Sequence, residues 1–407
     1  MRRGGTIVAL ACGTALLLAS CAAGDTDASD EPDAATPTTS VPARAGQAEV
    51  RFVSPPNLLS SGEPGDILER EPKALDDGVD GTAERVTYVS TSPNGDRVPV
   101  TGVMIRPNGP APEGGFPIVT LGHGTTGVGN QCAPSLADPF EFPGVAELVA
   151  DGYVVVASDY EGLGTEEQHP YLVGEASARS MIDIARAARA DDEYPTDEKV
   201  VALGASQGGH ASLFIREIAP TYAPDLELLG VAAAAPVTDV ARFLLRGTTD
   251  PSNFPLTAEA IATWEVVYED VDLESLVPPG LVDRYRLANL ACNEDVAEAA
   301  EGVDPARLFR SDPQDLPAWR DIAVRNTPVV TETGVPVLIT HGVADELVPV
   351  EGSRGFVAQV CDAGPDVLYI EDPNWDHIGA YLEPFPEIRS WVADRFAGAE
   401  ASSTCAS

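Results

Sequence analysis

A glycine-rich pentapeptide in the middle of the 407-residue chain restricts the possible folds more than any other feature. Gly204-Ala-Ser-Gln-Gly208 follows the apolar run Val200–Leu203 and precedes a stretch of helical composition, Gly208–Ile218. Glycine on both sides of Ser206 suits a tight turn in which a strand and a helix pack closely, because a larger side chain would collide there. We therefore predict a strand, a sharp turn and a helix, with the hydroxyl of Ser206 held at the turn.

Short apolar runs alternate with helical stretches along most of the chain, which is typical of an α/β fold with a mostly parallel sheet flanked by helices. Continuous apolar strands are expected where both faces of a sheet are buried. An antiparallel pair should open the sheet, with Asn94-Gly95 as its turn. The predicted strands are Arg85–Ser90, Val98–Ile105, Pro117–Leu121, Tyr153–Ala157, Val200–Leu203, Leu228–Ala235, Pro336–Thr340 and Val367–Ile370, and a further helix is predicted over Glu175–Ala190.

The spacing of the predicted strands breaks once, between Ala235 and Pro336. The residues between them look helical and carry no strand signal, so we predict that residues 237–327 form a helical cap inserted over the sheet edge where ligands bind. The alternative is two or three extra packing helices. Residues 49–236 and 328–398 would then form the core, and residues 399–407 a C-terminal tail.

A serine hydroxyl becomes an effective nucleophile at neutral pH only beside a base, and that base needs an acid to orient it. Asp345 is the predicted acid, because its loop leaves the C-terminal end of a predicted strand, on the side of the sheet where the turn also stands; Glu346 is the alternative. His377 is the predicted base, because it alone of the five histidines follows Asp345. We therefore predict a catalytic triad of Ser206, Asp345 and His377.

The remaining histidines have structural interpretations. His123 and His341 lie at strand ends and should brace loops, His210 lies on the helix behind the nucleophile, and His169 is predicted to lie in a surface loop.

Two backbone N–H groups should stabilise the oxyanion of a tetrahedral intermediate. One belongs to Gln207, the residue after the nucleophile. The other is expected in the loop Gly122–Gly127, whose His-Gly pair resembles the loop of hydrolases that use the N–H of the next residue, here Thr125. A phosphate-binding loop is excluded, because no Gly-Lys-Ser/Thr follows.

The N-terminus has the features of an export signal. Two arginines precede the apolar run Ile7–Ala19, which is too short to span a bilayer stably, and Leu18-Ala-Ser-Cys21 resembles a bacterial lipobox. We predict that residues 1–21 are a lipoprotein signal peptide, that Cys21 carries the lipid, and that residues 22–48 are a disordered tether. The alternative is an ordinary signal peptide in which Cys21 has no role. Both interpretations place the mature chain outside the cytoplasm.

Charge and cysteine content narrow the function further. The formal net charge of −39 excludes a nucleic-acid-binding role. Besides Cys12 and Cys21 there is an even number of cysteines, which favours two disulfides in an oxidising compartment and leaves three pairings open. These four are Cys132, Cys292, Cys361 and Cys405, and since none forms a Cys-x-x-Cys pair, no metal site is predicted.

Three features together resemble the secretory lipase family of fungi and bacteria, over about residues 50–396. They are Gly204-Ala-Ser-Gln-Gly-Gly-His210, Ser158-Asp-Tyr-Glu-Gly-Leu-Gly164, and the late Asp345 and His377 behind a long insert. The resemblance implies an α/β-hydrolase core with a helical cap, no cofactor, and hydrolysis of carboxylic esters of glycerol or similar alcohols.

The same resemblance implies disulfides between Cys132 and Cys292 and between Cys361 and Cys405. The expected function is that of a triacylglycerol lipase or esterase, secreted or held at the membrane by an N-terminal lipid anchor, with an ester or lipid as substrate. The alternatives are a serine peptidase on the same fold and a catalytically silent surface lipoprotein that binds lipid. The sequence leaves the oligomeric state and the natural substrate open.

Overall fold

The structure is a computed structural model that describes residues 38–41, 50–55, 58–249, 253–293, 309–364 and 367–405. The predicted signal peptide, Cys21 and most of the predicted tether lie outside the described residues.

Strands of two sheets make up the β-structure of this part of the chain. In chain order they are β1 (Thr38–Val41), β2 (Val50–Val53), β3 (Ile67–Lys73), β4 (Gly81–Thr91), β5 (Arg97–Pro107), β6 (Phe116–Gly122), β7 (Val154–Ser158), β8 (Thr196–Ala205), β9 (Glu227–Ala234), β10 (Val337–Gly342) and β11 (Val367–Asp372). The main sheet has nine strands in the order β11-β10-β9-β8-β6-β7-β5-β4-β3, and β1 pairs with β2 alone.

The direction of the strands confirms the predicted α/β class. Strands β6 to β11 pair in parallel, whereas β5 pairs antiparallel with both β7 and β4. The edge strand β3 was not predicted. Its sequence Ile-Leu-Glu-Arg-Glu-Pro-Lys is mostly exposed and has no apolar alternation, so only its backbone pairing with β4 reveals it.

Helices cover both faces of the sheet. They are α1 (Val145–Ala150), α2 (Gly174–Ala190), α3 (Gln207–Tyr222), α4 (Val240–Thr249), α5 (Phe254–Val267), α6 (Leu273–Leu276), α7 (Val282–Ala288), α8 (Pro317–Arg325), α9 (Val350–Ala363), α10 (Gly379–Leu382) and α11 (Phe385–Phe396). Helices α1 and α11 pack on the face that carries Val119 and Leu121, and α2 packs on the face that carries Ile118. Burial of both faces explains why these strands are apolar throughout.

Residues 38–41 differ from the predicted disordered tether, because they form β1 and pair antiparallel with β2. Val50 and Phe52 of β2 are buried, and the ring of Phe52 lies 4.6 Å from that of Tyr268. This docking gives residues 38–41 a backbone partner that their own Thr-Thr-Ser-Val sequence does not signal.

Between β9 and β10 the described helices are α4 to α8. Their buried side chains form one apolar cluster that includes Leu244, Trp264 and Trp319, with the two indole rings 6.4 Å apart. Leu244 and Trp264 therefore belong to the core of this segment. None of the helices in the described part of the chain combines the length and the apolar character needed to span a bilayer.

Candidate active site

The backbone is strained at Ser206. Strand β8 ends at Ala205 and helix α3 begins at Gln207, so Ser206 alone makes the turn between them, with φ 56° and ψ −116°. A positive φ is sterically unfavourable for a residue with a Cβ and persists only where the surroundings enforce it. A strained strand-to-helix turn of this kind exposes the serine of Gly-x-Ser-x-Gly hydrolases at the end of the sheet.

The glycines around Ser206 allow that turn to form. A Cβ at Gly204 would lie 2.2 Å from the carbonyl oxygen of Gly208, and a Cβ at Gly208 would lie 1.9 Å from that of Gly122. The ends of β6 and β8 and the start of α3 therefore meet at van der Waals distance, and any side chain at these positions would separate them.

The strand ends next to Ser206 carry the predicted acid and base. The N–H of Ser206 donates to Ala234 and the N–H of Ala235 donates to Thr340, so the ends of β8, β9 and β10 lie side by side. Asp345 follows β10, and His377 follows the neighbouring β11. Parallel strands thus bring residues that are far apart in sequence to one edge of the sheet.

Asp345 and His377 are joined by a hydrogen bond. Nδ1 of His377 lies 2.7 Å from Oδ2 of Asp345, and Oδ1 accepts the N–H groups of Leu347 and Val348 at 2.9 and 2.8 Å. Burial by itself would raise the pKa of Asp345, but the hydrogen bonds from two histidines and a backbone N–H outweigh it, so the pKa lies well below its ordinary value. The alternative acid, Glu346, is exposed.

The side chain of His377 is 11% exposed. Because Nδ1 faces Asp345, Nε2 is the nitrogen left for proton transfer. The structure brings Asp345 and His377 together, whereas no hydrogen bond joins His377 to Ser206, both of which lie in the described part of the chain. Catalytic hydrogen bonds are often long without substrate and shorten when it binds.

His341 is a second donor to Asp345, which the sequence reasoning missed. Its Nε2 lies 3.1 Å from the carbonyl oxygen of Val348 and 3.2 Å from Oδ2 of Asp345, and its Nδ1 lies 2.8 Å from Oγ of Ser353. A carbonyl oxygen only accepts, so Nε2 carries the proton and Nδ1 accepts from the serine. Its position at a strand end was the only sequence signal for this role.

The loop after β6 lies against Ser206. A Cβ built on Gly124 would be 3.7 Å from Cβ of Ser206. The next residue, Thr125, is held on two sides, because its Oγ1 lies 2.8 Å from the hydroxyl of Tyr171 and its carbonyl accepts from Nδ2 of Asn293 at 2.7 Å. Among the described residues, neither the backbone N–H of Thr125 nor that of Gln207 has a hydrogen-bond partner.

His169 does not lie in a surface loop, as predicted, but is fully buried. Its Nδ1 lies 2.7 Å from the carbonyl oxygen of Glu161, and its Nε2 lies 2.9 Å from Nε2 of Gln207. The polar sequence around it suggests exposure. Its two hydrogen bonds offset the cost of burying the imidazole.

The described residues contain two disulfides, and they are the pairs that the family resemblance implies. Cys132 is bonded to Cys292, which links the loop after β6 to the helical segment between β9 and β10, and Cys361 of α9 is bonded to Cys405. Within the described ranges, no group of three or more His, Cys, Asp or Glu side chains is arranged to hold a metal ion.

Comparison with known proteins shows similarity to lipases. A family model described as secretory lipase matches residues 136–254 and 325–404, just under half of the chain. Lipase 4 of Candida albicans is 28% identical over 306 residues, which cover 68% of this chain and 64% of that lipase, less than two thirds of its length.

Solved structures show the fold. Candida antarctica lipase A in its closed state superposes with a TM-score of 0.75 at 18% identity and covers 86% of each chain. The rice cell wall degrading esterase LipA from Xanthomonas oryzae superposes with a TM-score of 0.69 at 20% identity and covers 83% of this chain and 99% of that one. The chain is therefore similar to secretory lipases in sequence, and it has the α/β-hydrolase fold.

Proposed function

We propose that the protein is an exported serine ester hydrolase, a lipase or esterase, in which Ser206 is the nucleophile, His377 the base and Asp345 the acid. The observation that carries the proposal is the 2.7 Å contact between His377 and Asp345 at the sheet edge where the strained Ser206 turn stands. The match to secretory lipases supports the substrate class, and the two disulfides support a location outside the cytoplasm.

In the proposed mechanism, Nε2 of His377 takes the proton of Ser206 as Oγ attacks the ester carbonyl carbon, and the carbonyl oxygen becomes an oxyanion. The N–H groups of Thr125 and Gln207 would stabilise this oxyanion, because they have no other partner among the described residues. Collapse of the intermediate expels the alcohol with the proton from His377. Water then hydrolyses the acyl-enzyme by the same steps, and the low pKa of Asp345 keeps its carboxylate ionised beside the imidazolium.

Residues 237–327 are proposed to act as a cap over this site, inserted in a core of residues 49–236 and 328–398. Two contacts that join this segment to the loop after β6 support the cap: the hydrogen bond from Asn293 to Thr125 and the Cys132–Cys292 disulfide.

Hydrolysis of p-nitrophenyl butyrate and palmitate by the purified mature protein tests the proposal. Activity should be lost in Ser206→Ala and kept in Ser402→Ala, an exposed serine of the tail. The butyrate-to-palmitate ratio would distinguish an esterase from a lipase. Folded wild-type protein that turns over neither ester, and that an organophosphonate does not label at Ser206, would refute the proposal; cleavage of peptide amides instead would indicate a peptidase.

Lipidation of Cys21 is a separate proposal, supported by the lipobox resemblance of Leu18-Ala-Ser-Cys21. Wild-type protein expressed in bacteria should partition into detergent and show a diacylglycerol-modified N-terminal cysteine by mass spectrometry, whereas Cys21→Ser should not. A wild-type N-terminus cleaved elsewhere would instead indicate an ordinary signal peptide.

A further inference from the structure

His169 fixes the side chain of the residue that follows the nucleophile. Its Nδ1 faces the carbonyl oxygen of Glu161, which can only accept, so Nδ1 carries the proton and Nε2 accepts. Nε2 of Gln207, 2.9 Å away, is then the donor, which settles the orientation of that amide. Burial lowers the pKa of His169 to about 3, so this neutral tautomer persists at the pH values at which an esterase works.

Tyr171, two residues later, holds the other side of the site. Its hydroxyl lies 2.8 Å from Oγ1 of Thr125, and its carbonyl accepts from the indole of Trp264 at 3.0 Å. Its own N–H donates to the carbonyl of His169 at 2.9 Å, so both side chains belong to one tight turn, His169-Pro170-Tyr171. The helix α5, which carries Trp264, anchors that turn.

Ring packing holds the turn in place. The ring of Tyr160 stacks between two imidazoles, with ring centroids 4.3 Å from His123 and 6.0 Å from His169. Tyr160 also donates its hydroxyl to the carbonyl of His123, in the same loop as Thr125. The imidazole of His169 and the loop after β6 therefore share one buried support.

We propose that the turn His169-Pro170-Tyr171 positions both oxyanion donors, with His169 acting through Gln207 and Tyr171 acting through Thr125. The inference rests on the proposed function, since it concerns how that reaction is stabilised. Oxyanion stabilisation depends on donors that are already in place when charge develops. The two N–H groups have no other described partner, so contacts to the rest of each residue must fix them. The side chains of Gln207 and Thr125 supply one such contact each, and the carbonyl of Thr125 also accepts from Asn293.

The test replaces His169 in the full mature protein. His169→Leu keeps the bulk and removes the acceptor, and we expect kcat to fall by about 10- to 100-fold with KM unchanged, less than the 10²- to 10³-fold loss of a whole donor. A boronic acid inhibitor, which binds Ser206 as a tetrahedral adduct, should weaken by the same factor as kcat. His169→Gln should recover most of both, because its side-chain oxygen can accept from the amide of Gln207.

A double-mutant cycle tests the second half of the proposal. Tyr171→Phe and Thr125→Val each remove the same hydrogen bond, so each should lower kcat by about 3- to 10-fold and the double variant should lose no more than the larger single loss.

His210→Leu is the matched control. His210 is also buried, and its Nε2 lies 2.7 Å from the carbonyl oxygen of Asn326. This variant should lower the unfolding temperature but keep kcat and the boronic acid affinity.

Unchanged kcat and boronic acid affinity in His169→Leu, beside an active wild type and an inactive Ser206→Ala, would overturn this inference and leave the proposed function intact. Equal losses in kcat from His169→Leu and His210→Leu would also overturn it, because a general loss of stability would then suffice. Should His169→Leu not fold, His169→Gln and the Tyr171–Thr125 cycle decide the question, and losses that multiply in that cycle would refute the positioning role. An inactive wild type would refute both proposals.

Discussion

Replacing Asp345 by asparagine tests the central contact of the site without changing its shape. Two backbone N–H groups, those of Leu347 and Val348, donate to Oδ1 of Asp345. In Asp345→Asn these donors select the amide oxygen for that position, so the NH₂ group must take the place of Oδ2. There it would donate to Nδ1 of His377, which is 2.7 Å from Oδ2 in the wild type.

The expected loss follows from this forced orientation. Donation to Nδ1 places the proton of neutral His377 on Nε2, where it cannot accept the proton of Ser206. A wrong tautomer of this kind lowers kcat by about 10⁴-fold in serine hydrolases, or about 5 kcal/mol of transition-state stabilisation at about 1.4 kcal/mol per factor of ten. The amide would also face the Nε2 proton of His341, which should cost about 1 to 3 kcal/mol of unfolding free energy.

The assay is hydrolysis of p-nitrophenyl butyrate, with denaturant unfolding to show that the variant is folded. Glu346→Gln is the matched control, since it neutralises the exposed neighbouring carboxylate, and it should keep wild-type kcat. Retention of more than about a tenth of wild-type kcat in folded Asp345→Asn, where about 10⁻⁴ is expected, would show that Asp345 does not set the tautomer of the base. An equal loss in Glu346→Gln would point to a general charge effect instead.

Three further predictions concern stability, each measured by unfolding. Gly208→Ala should prevent the Ser206 turn from forming, since its Cβ would lie 1.9 Å from a backbone oxygen of β6. The control is Gly355→Ala on the exposed side of α9, where a Cβ meets nothing within 4 Å and should raise the unfolding free energy by up to about 1 kcal/mol. Similar effects of the two substitutions would contradict the steric argument. Burial raises the pKa of Glu259, which has no hydrogen-bond partner among the described residues, from 4.5 to about 8. The folded state then keeps a proton that the unfolded state loses, so the unfolding free energy should fall as pH rises from 4.5 through 8. In Glu259→Gln the difference in unfolding free energy between pH 5 and pH 8 should be smaller than in the wild type. An unchanged difference would exclude Glu259 as the source of the pH dependence. Replacing Cys132 and Cys292 by alanine should lower the unfolding free energy by about 2 to 5 kcal/mol. The loss should exceed that from removing the Cys361–Cys405 disulfide by about 1 kcal/mol, because the bonded cysteines are 160 residues apart in the first pair and 44 in the second. The reverse order would count against loop entropy as the cause.

Much of the fold could be predicted from local sequence. The run Pro117–Leu121 lies within β6, and Glu175–Ala190 lies within α2, because buried parallel strands and amphipathic helices have distinct apolar patterns. The strand β3 could not be predicted in this way, since exposed and charged residues form it only through pairing with β4. The strand order in the sheet is likewise absent from any local pattern.

The sequence by itself determined the turn at Ser206, because the glycines that permit it are neighbours along the chain and their steric requirement is local. It also narrowed the acid to Asp345 or Glu346 and the base to His377 by their order after the strands. Only the tertiary structure brought His341 and His377 to the carboxylate of Asp345 and placed His169 against Gln207 inside the protein. These contacts join residues that are distant along the chain, and they depend on which strands become neighbours and which loops are buried, a choice made by the packing of the whole sheet and its helices.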